Sequence, residues 1–233
     1  MAVGLLRCLP ASWLKVRAIV VRIEAERGVE KTVVDAVARI AESTEPRVGR
    51  ALPGLAEVLT LQVRATQRVI PETGTGGSAL SAGVITWSFD PDHPDDGVAL
   101  AERWLPSTLF HELHHQVRGW LMIGGGGPHP FIHAAVCEGL ATAFERDQTG
   151  LTPPWGIYPP EASEWVSEIQ HLSLPYSYRH WMFSHPDGRR WIGYRTGTYI
   201  ADRAARASGR TANDLATVPS SEILEMAGFE PSN

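Results

Sequence analysis

The segment 110–118 reads FHELHHQVR and sets His111, Glu112 and His115 in an HExxH arrangement. Four residues along an α-helix cover about 6 Å of rise and slightly more than one turn, so two imidazoles at that spacing leave one face and can converge on one ion at about 2.0–2.1 Å. Glu112 lies one step round the helix. From there its carboxylate can reach an open coordination position without filling it, which is what a general base acting on a metal-bound water requires. The pattern points to a zinc ion and metal-assisted hydrolysis. Phe110, Leu113 and Val117 give the same helix an apolar side, so it is expected to pack against a core.

A catalytic zinc takes a third protein ligand and leaves the fourth position to water. The metzincin extension would need glycine at 118 and histidine at 121, where this chain has Arg118 and Leu121, and that class is excluded. Glu138, 23 residues beyond His115 in the run AAVCEGLATAFE, is the expected third ligand. Ala134, Ala135 and Ala141 lie three or four positions from it, so its helix can approach the metal helix closely along the stripe that bears the carboxylate. Thr142 and Glu145 continue that stripe, where a hydrogen bond to a ligand histidine would originate. Among rival donors, His114 would pair with His111 only by leaving Glu112 without a task, and is expected at the surface or behind the ligands. His133 lies about 140° round the helix from Glu138 and Cys137 about 100°, the latter reading as a buried, inert thiol. His129, in the glycine loop, is the alternative as a mobile ligand or substrate contact.

These residues need helices to hold them. Trp13, Leu14, Val16, Ile19, Val20 and Ile23 recur at helical spacing, and 32–40 repeats the pattern after Gly28, so the first 60 residues read as helical. In LQVRATQRVI the period changes to two, the mark of a strand with one wet face. The Gly/Ser-rich TGTGGSALSAG reads as a turn leading to a second β run, 84–89, which could offer an edge for an extended peptide. Pro106 disfavours helix before it, so the metal helix is expected over 109–118, capped by Ser107 or Thr108 and ending at Gly119. The glycines 124–127 make a flexible stop before a helix over 131–146, and a Pro/Gly loop spans 149–160. Further helices are expected over 162–171, over 189–208 from an Asp187 cap, and within 211–227. The fold class is α+β, predominantly α-helical with a small antiparallel sheet or hairpin, with 1–50 an N-terminal helical segment and 51–228 the catalytic domain, the two forming one compact unit.

The composition agrees with a globular enzyme. The 233 residues are 43% hydrophobic and 20% charged, enough for a sizeable core. The formal charge of -5 argues against nucleic-acid binding through a basic face. Residues 1–70 carry 11 Lys+Arg against 7 Asp+Glu and the rest 10 against 19, so the acidic part holds the motif. Two cysteines, Cys8 and Cys137, offer no disulfide framework, and a reducing, cytoplasmic setting is expected. Arg7 and Pro10 interrupt the opening apolar run, so neither a signal peptide nor a membrane span is expected.

HELHH followed by EGLA and a later GYRTGTYIAD resembles the predicted zinc-dependent proteases of the DUF2268 group, over about residues 50–228. The resemblance implies a zincin-like fold and gluzincin-type peptidase activity, with His111, His115 and Glu138 binding zinc, Glu112 acting as base, and peptides or proteins as substrates. It also implies a tyrosine on a later helix beside a small-residue spacing. Tyr194 with Gly197 is the match, and Tyr199 a nearby alternative. Tyr194 is the expected oxyanion donor, ahead of His180, His185 and Arg195. One departure is Thr142, four residues after Glu138, where such proteins often carry an acid. A zinc hydrolase of small-molecule amides and a non-catalytic metal-binding module are the alternative readings.

Overall fold

A computed structural model describes residues 19–123, 129–172 and 175–230. The expectations for residues 13–18, for the N-terminal leader and for the glycines 124–127 lie outside the described residues. The chain runs β1 (Val20–Ala25), α1 (Lys31–Ala51), β2 (Val58–Ala65), β3 (Thr75–Ser81), β4 (Val84–Phe89), α2 (Gly97–Arg118), α3 (Phe131–Thr149), a 3-10 turn (Pro154–Gly156), α4 (Ala162–Gln170), α5 (Tyr178–Met182), α6 (Ile192–Ser208) and α7 (Ser220–Ala227). The class is α+β with helix predominant. No described helix is long and apolar enough to cross a membrane.

The sheet is mixed, which corrects the expected antiparallel pairing. Its order is β1-β2-β4-β3, with β1, β2 and β4 parallel and β3 antiparallel to β4. Residues 20–25 are a strand where helical spacing was expected. Val21 and Ile23 turn inward while Val20, Arg22 and Glu24 are more exposed, and pairing with β2 decides between two periods that so short an apolar run cannot distinguish. β4 is an interior strand, so it cannot be the expected docking edge; that edge belongs to β3. The glycine- and serine-rich composition of β3 reflects close packing against α2. A Cβ on Gly77 would strike Thr108 Cγ2 and come within 2.7 Å of Glu112 Oε1. Gln116 fixes the β3–β4 turn to the same helix, donating to Ser81 O and Val84 O at 2.8 and 3.0 Å and accepting from Gly83 N–H at 2.9 Å.

α2 begins at Gly97, twelve residues ahead of the expected start. Asp96 accepts from Ala99 N–H at 2.8 Å as the cap, and Pro106 lies inside the helix. Proline removes one backbone donor there, but Leu100, Ala101, Leu105, Leu109, Phe110 and Leu113 form a continuous buried stripe across it. Gly119 ends the helix in the left-handed conformation, as the spacing predicts. α6 starts at Ile192 instead of near Arg189, because Arg190 bridges back to Ser184. Asp187 does not cap it but binds Arg189. The turn into α6 is made by Trp191 at φ 61°, buried among Trp155, Phe183 and Tyr194.

α3 and α6 cross where neither has a side chain. A Cβ on Gly139 would fall on the Gly197 carbonyl, and one on Gly197 on the carbonyl oxygen of Ala135. This backbone contact sets Glu138 and Tyr194 on adjoining helices one residue or less than a turn from the crossing. Gly197→Ala is therefore expected to destabilise the protein by about 3 kcal/mol, the upper end of overpacking costs. Thermal unfolding checks this, and an unchanged Tm would show that the helices separate freely.

Candidate metal centre

His111 and His115 leave α2 one turn apart, with ring centroids 4.7 Å apart and planes nearly perpendicular. Their Nε2 atoms are 3.1 Å apart, and each lies 3.3 Å from Oε2 of Glu138 on α3. Four ligands at the usual zinc distances of 2.0–2.1 Å stand about 3.3 Å from one another, so this near-equilateral triangle has the dimensions of one face of a tetrahedral site. The three donors could hold a metal ion. All three side chains are buried.

Two further groups orient the triangle. His111 Nδ1 meets Glu145 Oε2 at 3.1 Å, and the indole N–H of Trp120 donates to Glu138 Oε1 at 3.0 Å. The carboxylate behind His111 thus comes from two turns after Glu138, while Thr142, one turn after it, is fully buried with its hydroxyl unpartnered. Trp120 was missed by sequence reasoning. The available signal was its place directly after Gly119, where the chain turns back over the end of α2.

Glu112 is buried beside the triangle and faces the N–H of Ala79 on β3. Burial drives its pKa above the usual carboxylate range and outweighs the opposing His111 and His115. Burial drives Glu145 the same way, against His111. Glu138 is held well below the usual range: burial opposes its ionisation, but His115 and His111 overcome that. For His111, burial disfavours charge, yet hydrogen bonds to Glu138 and Glu145 and the nearby Glu112 raise its pKa well above normal. Three carboxylates around two imidazoles make a buried place that draws in positive charge, which is the chemistry of a cation site.

Tyr194 lines the cavity over these residues, with its ring 6.4 Å from that of His111, and burial and the nearby Glu138 raise its pKa well above normal. Tyr178, unforeseen, lines the same cavity. The other candidates stand elsewhere. Tyr199 packs against Tyr158 and Phe229. His180 is exposed, His185 pairs with Asp187 at 2.9 Å, and Arg195 reaches toward Pro154 O. His114 is fully buried, not at the surface, with Nε2 3.4 Å from Ala212 O. His129 and His133 pack against one another and against Trp120, and neither is among the three converging donors. Cys137 is buried and accepts from Arg118 Nε at 3.1 Å.

β3 forms the opposite wall. Ala79 directs its N–H to Glu112 and its C=O to Met122 N–H, so by the alternation of an antiparallel ladder Gly77 also turns its N–H and C=O away from β4. Among the described residues nothing bonds them. The Ile70 N–H occupies Thr75 O on one side and Met122 occupies Ala79 on the other, which leaves a short open stretch of edge centred on Gly77 above Glu112.

A family model described as predicted Zn-dependent protease (DUF2268) matches residues 30–225. The match begins some twenty residues before the expected start and takes in all of α1. No curated protein and no solved structure matches the chain.

Glu145→Gln is expected to leave the fold intact and to weaken zinc binding about 10–100-fold, as loss of a carboxylate behind a ligand histidine does. Competition with a chromogenic chelator measures this, and an unchanged affinity would show that Glu145 does not support His111.

Proposed function

The chain belongs to the DUF2268 family of predicted Zn-dependent proteases, and from that membership we propose that it is a zinc peptidase of gluzincin type, with His111, His115 and Glu138 as the metal ligands and Glu112 as general base. The observation that carries this reading is the position of the Glu112 carboxylate, buried between the donor triangle and the open edge of β3. Bound zinc supplies Lewis acidity, lowering the pKa of water toward 7 and polarising a carbonyl.

Each step then falls to a group of this chain. Gly77 pairs with an extended substrate through its free N–H and C=O, which favours a peptide over a small amide. Glu112, its pKa raised by burial, accepts a proton from the attacking water and hands it to the leaving amine. Tyr194, kept protonated by burial and by Glu138, donates its O–H to the developing oxyanion. Trp120 and Glu145 hold Glu138 and His111 in their orientations. The sparse cysteine content supports a cytoplasmic setting.

Peptide hydrolysis by three variants tests these assignments. Glu112→Gln should keep its zinc and lose activity, whereas His115→Ala should lose both; equal cleavage by Glu112→Gln and the unmodified protein removes Glu112 as base. Tyr194→Phe should lower kcat by about 10²–10³ with KM little changed, the signature of a donor used in the transition state. A rise in KM alone would make Tyr194 a substrate contact.

A further inference from the structure

The reacting centre stands on a divide between two cavities of very different size. Gly77, His111, Glu112 and Tyr194 line both. On the side of the first residues of β3 the cavity measures about 60 Å³, walled by Thr73, Thr75, Ser107, Thr108, Trp104 and Trp155. On the side of its later residues it measures about 460 Å³, walled by Ala79, Trp120, Leu121, Met122, Tyr178 and Phe183. The small side is rich in hydroxyls, several already engaged: Thr108 Oγ1 donates to Trp104 O at 3.1 Å, and Thr75 Oγ1 to Thr73 Oγ1 at 3.3 Å. The large side is apolar and aromatic, and Met122 is 72% exposed at its lip. Among the described residues, apart from groups of the centre itself and Glu145, which is engaged with His111, no charged side chain lines either cavity.

A peptide paired with the Gly77 edge runs along β3 past the reacting centre, so the residues before and after the scissile bond fall on opposite sides of the divide and meet different cavities. Antiparallel pairing is the more stable ladder, and it places the amino-terminal part of the substrate over the later residues of β3. From this geometry we infer that the site selects bonds with a large apolar residue on the amino-terminal flank and a small residue (Gly, Ala or Ser) on the carboxy-terminal flank. The small cavity cannot take a leucine or phenylalanine without displacing Trp104 or Thr108, and neither cavity offers a counter-charge to a lysine or an aspartate. The inference rests on the peptidase reading.

Digestion of a defined peptide library by the zinc-loaded protein, with every cleaved bond identified by mass spectrometry, tests it. The expected result is Leu, Met, Phe or Tyr before the cut and Gly, Ala or Ser after it, with Leu or Phe after the cut disfavoured at least about tenfold. Trp104→Ala should remove most of that discrimination. Thr108→Ser, which deletes one methyl from the same wall, should relax it in the same direction and is the milder change. Cleavage with the preference absent or reversed overturns the inference and leaves the peptidase standing. No cleavage of any peptide by zinc-loaded protein overturns both.

Discussion

Two imidazoles and a carboxylate meeting within 3.3 Å of one another inside a protein core is an arrangement that apolar packing alone would never select. Glu112 and Glu145 bring the number of buried carboxylates there to three. Each carries a desolvation cost, and the structure meets it by mutual pairing with the imidazoles and, at Glu138, by the hydrogen bond from Trp120. Such a cluster is held only where rigid elements leave the groups no room to separate. The long α2, the glycine crossing of α3 with α6 and the Gln116 clamp on the β3–β4 turn supply that rigidity.

The same close packing shapes the cleft. Because Gly77 has no side chain, β3 descends onto Thr108 and Glu112, and the unpaired edge comes to lie directly over the base. The approach also divides the space above the helix into a narrow compartment beside Trp104 and a wide one beside Met122. Trp191 contributes from below. Its left-handed backbone is costly for a bulky residue, and it is retained in a buried aromatic cluster that includes Tyr194.

Elements with a strong local signal were legible. The strand 84–89 and the helices near 131–146 and 162–171 follow from periodicity, and Gly119 marks the end of α2 by its left-handed turn. Elements whose state depends on a distant partner were not. Val21 and Ile23 fit either period until β2 pairs with them, and Pro106 reads as a boundary until a stripe from Leu100 to Leu113 is buried across it. The run around Gly77 reads as a turn because glycine's two uses, bending the chain and letting another element come close, are indistinguishable in one dimension.

For the site, the residue types and the four-residue helical spacing determined that His111 and His115 share a face with Glu112 beside them, since that follows from 3.6 residues per turn alone. Small residues around Glu138 indicated that its helix could come near. Tertiary structure decided the rest: that Glu138 reaches the two rings, that Glu145 rather than Thr142 stands behind His111, that Trp120 returns to Glu138, and that β3 is the sheet edge beside the site. All of these are distances between elements far apart in the chain. They are set by how glycines, a tryptophan turn and a buried stripe let those elements pack, and no local spacing encodes that packing.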